Sequence, residues 1–317
     1  MPLKKIIASR KTQRRPRLAL VTGAGGFIGR HLVQSLLQKG YRVLALDLRF
    51  PKPAFPHKEA RYLKADLTRG LPKNLVVGPR PEVCFHCAGS ASVARSFEDP
   101  WGDWQANVAG TARLIEAWRH ISPQGVFVFL SSAAVYGNPR RLPIREGDPA
   151  CPISPYGTHK LVAEHILGSY RDRFGIPVRI ARIFSAYGPG LKRQVVHEVV
   201  AKARKSMNLS LQGTGRETRD FIHIEDLTRA LMQIAQAPRC PQVLNVASGL
   251  ASTIRDLAST AARLSPRRIS VCFSGKVRPG DPRFWKADIS RLHSLGFRSK
   301  ISLQEGLRGM MLQEDAA

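Results

Sequence analysis

From Leu18 to about Val178, short apolar runs alternate with longer segments in which apolar residues recur every three or four positions. The short runs predict strands over Leu18–Val21, Arg42–Leu46, Arg61–Lys64, Val83–Cys87, Val126–Leu130 and Pro177–Arg182. The longer segments predict helices near Phe27–Gln38, Trp104–Arg119 and Tyr156–Phe174. Strands separated by helices in this way form a parallel sheet wrapped by helices, which is the α/β, doubly wound arrangement. After Ser185 the alternation fades into Gly- and Pro-punctuated loops, with helices near Gln194–Lys205 and Asp226–Gln236 and a strand near Val243–Val246. The division expected is therefore a large domain over 18–184 and a smaller lobe over 185–317. No Pro/Ser-rich connector separates them, so their boundaries are expected to interleave.

Composition supports a folded chain. Of 317 residues, 43% are hydrophobic and 23% charged, outside the range of disordered sequences. No apolar run approaches the roughly 18–20 residues that span a bilayer, so no transmembrane segment is expected. Fifty Lys plus Arg against 23 Asp plus Glu give a formal charge of +27, which favours anionic or phosphorylated partners. The excess is spread along the chain without a zinc-finger or RNA-recognition signature, so no specific nucleic-acid partner is expected. Seven Lys or Arg and no acid fall within residues 1–17, read as a basic, disordered tail with a short transit peptide as the alternative. Five scattered cysteines do not make a disulfide framework and fit a reducing cytoplasm. Cys84 and Cys87 form C-x-x-C within an apolar strand and lack a second ligand pair, so they are read as buried strand residues.

Candidate chemistry begins directly after the first strand. Gly23, Gly26 and Gly29 in Thr22-Gly23-Ala24-Gly25-Gly26-Phe27-Ile28-Gly29 fit G-x-x-G-x-x-G, with Phe27 and Ile28 inside the turn. Glycine is needed where such a turn is tight, where backbone meets a pyrophosphate and where helix packs on strand, and the helix N-terminus offers amides to the phosphates. This is the Rossmann-type pattern for a dinucleotide. Asp47 ends the second strand at the spacing where a carboxylate accepts both adenosine ribose hydroxyls, which favours NAD; nearby Arg49 leaves NADP as the lesser alternative.

Tyr156 and Lys160 stand four residues apart, on one face of a helix. A tyrosine of ordinary pKa is a poor base at neutral pH, but a neighbouring ammonium and a nicotinamide cation both favour the phenolate. Ser132, within Phe129-Leu130-Ser131-Ser132-Ala133-Ala134-Val135-Tyr136-Gly137, ends a strand at the sheet's carboxyl edge, where it can hydrogen-bond the same substrate oxygen.

Taken together, these residues resemble the extended short-chain dehydrogenase/reductases, specifically the NAD-dependent nucleotide-sugar epimerase/dehydratase group. The resemblance runs from about Leu18 to Phe297, through the glycine turn, Ala65-Asp66-Leu67, His86-Cys87-Ala88-Gly89, Asn107-Val108-Ala109-Gly110-Thr111, S-S-A-A-V-Y-G and Y-x-x-x-K. It implies that Asp66 hydrogen-bonds the adenine and that Leu67, Ala88 and Asn107 belong to the cofactor site, Asn107 also supporting the active-site framework. It further implies that Ser132, Tyr156 and Lys160 are catalytic, with Tyr156 and Lys160 also contacting the cofactor. Gly215-Arg216-Glu217-Thr218-Arg219-Asp220-Phe221 resembles the segment whose second Arg, here Arg219, grips a diphosphate. Arg278-Pro279-Gly280-Asp281 resembles the segment that holds phosphate and ribose through Arg278 and Asp281. After Arg182-Ile183-Phe184 many members carry Asn where this chain has Ser185, a candidate substrate contact that leaves the nucleotide base open. The helices corresponding to Trp104–Arg119 and Tyr156–Phe174 pair two subunits in the family, which implies a homodimer.

The group shares hydride transfer at a sugar carbinol and differs in the fate of the ketone. Its 4,6-dehydratases carry an Asp-Glu pair after the strand-end hydroxyl; this chain has Ala133-Ala134, with no acid to protonate a leaving hydroxyl. Epimerisation through a 4-keto intermediate is the expected reaction. A reductase of a nucleotide-linked 4-keto-6-deoxysugar, and a non-catalytic dinucleotide sensor, are the alternatives.

Overall fold

The computed structural model describes residues 17–50, 57–72, 75, 78–276 and 282–312. The basic tail through position 16 lies outside them. Along the chain run β1 (Leu18–Thr22), α1 (Phe27–Gln38), β2 (Arg42–Asp47), β3 (Ala60–Lys64), β4 (Val83–His86), α2 (Val93–Glu98) and α3 (Pro100–Trp104). One π-helical turn (Gln105–Ala109) leads into α4 (Gly110–Ile121), β5 (Val126–Ser132) and a 3-10 turn (Ala133–Tyr136). Then come α5 (Pro155–Phe174), β6 (Val178–Ile183), β7 (Ser185–Tyr187), α6 (Gln194–Lys205), β8 (Asn208–Leu211), β9 (Thr218–His223) and α7 (Ile224–Gln236). The chain closes with β10 (Val243–Val246), β11 (Ala251–Thr253), α8 (Ile254–Leu264), β12 (Ser270–Phe273), α9 (Ser290–Ser294) and α10 (Leu303–Leu312).

Seven strands make one parallel, Rossmann-type sheet in the order β10-β6-β5-β4-β1-β2-β3. Alternation along β1 shows why it is buried on both faces. Ala19 and Val21 join one apolar cluster with Leu32, Val33 and Leu36 of α1, while Leu18 and Leu20 join a second with Leu114, Trp118 and Leu167 of α4 and α5. The chain winds outward from β1 to β3 and then returns to β4 on the other side of β1. That reversal opens a crevice at the strands' carboxyl ends.

Sequence periodicity indicates one helix over Trp104–Arg119, but the chain there is divided. Asp99 caps α3 by accepting the Gly102 N–H at 2.8 Å, Pro100 occupies its first turn, and the π turn then adds a residue before α4. Helix α5 is bounded as its residues dictate: Ser154 Oγ accepts the Gly157 N–H, and Gly175 at φ +67° ends it.

The strand Val243–Val246, which follows Ser185 in sequence, pairs with β6 and so extends the large sheet. Beyond it, β11-β9-β7 and β12-β8 form two small sheets around Tyr187, Val199, Leu209, Phe221 and Leu257. Among the described residues, no helix is long and apolar enough to cross a membrane.

Candidate active site

The glycine turn follows β1, where its backbone passes close to two neighbours. Gly23 has φ +66°, and a Cβ there would lie 2.6 Å from the Ala88 nitrogen at the end of β4; one on Gly29 would lie 2.0 Å from the Gly23 carbonyl oxygen. Gly25, which the G-x-x-G-x-x-G reading passes over, is equally constrained, since a Cβ would fall 2.2 Å from the Arg49 carbonyl oxygen. The N-cap of α1 is Gly26, with no side-chain cap and no acid in the first turn. The amides of Phe27, Ile28 and Gly29 therefore lie at a helix start that no acidic side chain of its first turn contests.

Asp47 Oδ2 accepts the Gly25 N–H at 2.9 Å and Oδ1 the Arg49 N–H at 3.0 Å. One bond per oxygen leaves lone pairs for two ribose hydroxyls. Asp66 Oδ1 accepts the Thr68 hydroxyl at 2.7 Å and amide at 2.9 Å, which holds its carboxyl below the usual range. Leu67 packs partly buried beside Gly110. These groups fit a dinucleotide: a bare helix start, a carboxylate with free acceptors at the end of β2, and backbone clearance kept by glycine.

A buried hydrogen-bond chain joins that turn to the helices behind it. Thr111 Oγ1 donates to the Asn107 carbonyl at 2.6 Å, so toward His86 Nε2, at 2.9 Å, it must accept. His86 Nδ1 is then the ring's bare nitrogen and accepts the Thr22 hydroxyl at 2.7 Å, while the Ala88 N–H donates to Thr22 Oγ1. Burial holds the His86 ring neutral, pushed down to about 3.

Ser132 ends β5. Its Oγ accepts the Ala134 N–H at 3.1 Å and engages the Tyr156 phenol. Lys160 Nζ donates to the Leu130 carbonyl at 3.0 Å and stands 6.0 Å from the Tyr156 ring centre. The structure thus brings Ser132, Tyr156 and Lys160 together. Neighbouring Ser131 donates to Glu164, which binds the Arg182 guanidinium at 2.7 Å, tying β5, α5 and β6 to one another.

The electrostatic balance differs from the sequence expectation. Desolvation pushes Tyr156 up to about 12, the Ser132 hydrogen bond only partly opposing it. Desolvation also pushes Lys160 down to about 8, against the raising effects of Asp103, Cys87 and Glu164. Burial outweighs the Ser132 hydrogen bond, so in the protein alone the phenol keeps its proton at neutral pH.

Asn107, on the π turn, is fully buried, and both atoms of its amide lack a hydrogen-bond partner. A Cβ on Gly89, at φ +142°, would lie 2.5 Å from Asn107 Oδ1 and 3.6 Å from Lys160 Nζ. The free amide and the ammonium therefore converge on one small residue.

On β9, Asp220 is buried and accepts from Ser248, Gly249 and Ala287. Arg219, one residue earlier on β9, turns the other way; its guanidinium lies 5.6 Å from the Trp285 ring centre and donates to the Thr218 carbonyl. Trp285 Nε1 donates to the Gly137 carbonyl at 3.1 Å, which links Arg219 to the segment that begins at Ser132. Ser185 opens β7 opposite Phe221. Arg278 and Asp281 lie outside the described residues. Trp285 and Glu164 carry no local sequence signal, because their partners are far away in the chain.

The chain is similar to known proteins. A profile of the NAD-dependent epimerase/dehydratase family matches residues 19–247. The chain is 32% identical to UDP-glucose 4-epimerase of Mycolicibacterium smegmatis over 91% of its own length and 95% of the relative. It is 30% identical to GDP-6-deoxy-D-mannose reductase of Pseudomonas aeruginosa over 92% and 95%. Among solved structures, UDP-glucuronic acid 4-epimerase from Bacillus cereus in complex with UDP-glucuronic acid and NAD superposes with a TM-score of 0.83 at 28% identity, over 93% of this chain and 98% of that one. The chain belongs to the NAD-dependent epimerase/dehydratase family.

Proposed function

We propose that this protein is an NAD-dependent nucleotide-sugar 4-epimerase that works through a transient 4-keto sugar. The observation that carries the reading is the pair Ala133–Ala134, both buried directly after Ser132. The hydroxyl, phenol and ammonium that serve hydride transfer are assembled, and the two positions that follow carry no acid to expel a hydroxyl as water. NAD, when bound, supplies the hydride acceptor and later the donor. Ser132 orients the C4 hydroxyl, and Tyr156, as the phenolate that the Lys160 ammonium and the nicotinamide cation of bound NAD would favour, takes its proton and returns it. Rotation of the ketone between the two transfers inverts C4. Asp47 and Asp66 take the adenosine half of the cofactor, and the turn from Gly23 to Gly29 its pyrophosphate.

Arg219, with Arg278 and Asp281, is assigned to the diphosphate and ribose of the substrate, since a guanidinium gives phosphate bidentate, charge-assisted bonds. The lobe after Ser185 is assigned as the sugar-nucleotide half of the molecule. A homodimer through α4 and α5 is part of the same reading, and Phe97 and Trp101 on the adjoining α2 and α3 expose 51% and 66% of their surfaces. A reducing cytoplasm, expected from the few and scattered cysteines, is part of the same reading.

The second reading, a reductase of a nucleotide-linked ketosugar, is favoured by the similarity to the Pseudomonas enzyme. One experiment separates the two: purified protein incubated with UDP-, GDP-, dTDP- and CDP-sugars, with and without NADH or NADPH. Epimer formation without net cofactor turnover is expected; stoichiometric consumption of reduced cofactor selects the reductase.

A further inference from the structure

His159 follows Tyr156 by three residues and precedes Lys160 by one, so it flanks the helix face that carries them. Its Nδ1 lies 2.7 Å from Asp103 Oδ2 on α3, and the Trp104 ring packs edge-on against it at 5.4 Å. The Asp103 side chain is only 2% exposed, and its second oxygen, Oδ1, is buried without a hydrogen-bond partner. A half-satisfied buried carboxylate costs stability that an apolar side chain of similar size would not. Packing alone gives no reason for an acid here.

The surroundings of the catalytic pair supply one. Tyr156 feels the Ser132 hydroxyl and Asp103. Lys160 feels Asp103, Cys87 and Glu164, donates to the Leu130 carbonyl, and has the neutral His86 ring nearby. Glu164 is neutralised by Arg182, which leaves Asp103 as the carboxylate near the pair that no arginine compensates. Its charge raises the proton affinity of both catalytic groups.

Resting on the roles proposed for Tyr156 and Lys160, we propose that Asp103, clasped by His159, is a positioning residue that supplies the balancing negative charge for the catalytic pair. It keeps Lys160 an ammonium despite burial and holds the Tyr156 proton ready for return to the sugar oxygen. An epimerase needs both, because one phenol must take and give the same proton.

The test is an ultraviolet titration of tyrosinate in NAD-saturated protein, with Tyr156→Phe as the blank. It needs no substrate, so absence of epimerisation with every sugar would overturn the proposed function and leave this result readable. Asp103→Asn is expected to lower the Tyr156 midpoint by at least about half a pH unit, the effect of a unit charge several ångströms away when screened as strongly as in water. With a turnover assay, both limbs of the pH–rate profile move to lower pH. If Asp103→Asn does not fold, His159→Arg places a fixed cation on Asp103 and should move the midpoint the same way. An unmoved midpoint in a variant that keeps its melting temperature and NAD affinity would show that Asp103 is merely structural and overturn the proposal.

Discussion

The carboxyl edge of the large sheet and the lobe beyond β10 handle polar side chains in opposite ways. At the edge, Thr22, His86 and Thr111 form one directed hydrogen-bond chain, and Ser131, Glu164 and Arg182 form another, each buried and each joining elements distant in sequence. In the lobe, Asp220 is pinned by four hydrogen bonds, yet Arg219 beside it lies partly open against Trp285. The edge is pre-organised for one chemistry, whereas the lobe offers a cation on a short strand in a small sheet. Under the proposed function, such a division would let the hydride-transfer edge stay fixed while the lobe varies with the sugar nucleotide.

Three substitutions probe that contrast. The largest effect is expected at the edge: Tyr156→Phe should lower turnover by at least about 10²-fold while NAD binding stays nearly intact, as for loss of a general acid–base. Steady-state kinetics with calorimetry for NAD checks it, and turnover within a few-fold of wild type would remove Tyr156 from the mechanism.

The second concerns the rigidity of the edge. His86 titrates near 6.5 in an unfolded chain but is pushed down to about 3 by burial. Between those values the unfolded chain binds a proton that the folded chain refuses. Its contribution is therefore complete above about 6.5 and lost as pH falls, by up to about 1.4 kcal/mol per unit. Denaturant unfolding at pH 7 and pH 5 should show a stability difference about 2 kcal/mol larger in wild type than in His86→Gln. Equal differences would mean that the ring is not buried neutral.

The third probes the lobe. Arg219→Ala should raise the substrate KM by roughly tenfold, the loss of one charge-assisted contact, and leave NAD affinity within about twofold. A matching loss of NAD affinity would contradict the assignment of substrate and cofactor to separate halves.

Much of the edge is legible in the sequence because its signals are local. An apolar run followed by spaced glycines, an acid ending the next strand, and a Tyr and Lys one helical turn apart each sit within a few residues. Where the chain depends on distant contacts, the reading falls short. Asn107 stands on a π turn that periodicity merges into a single helix, and Gly25 is constrained by Arg49, more than twenty positions away. Val243–Val246 joins the large sheet only through β6, and the lobe's strands of three to six residues are too short to show a period. The Asp103–His159 pair spans α3 and α5, and neither residue marks the other in sequence.

In the proposed reaction a hydride leaves C4 of a sugar nucleotide and returns to the same carbon from the other face. Incubation of the NAD-loaded protein with UDP-glucose carrying deuterium at C4, followed by NMR, tests it most directly. The expected product is the C4 epimer with deuterium retained at C4 and no accumulation of reduced cofactor. Loss of the label to solvent would contradict it, as would a dehydrated product or a reduced product formed at the expense of added NADH.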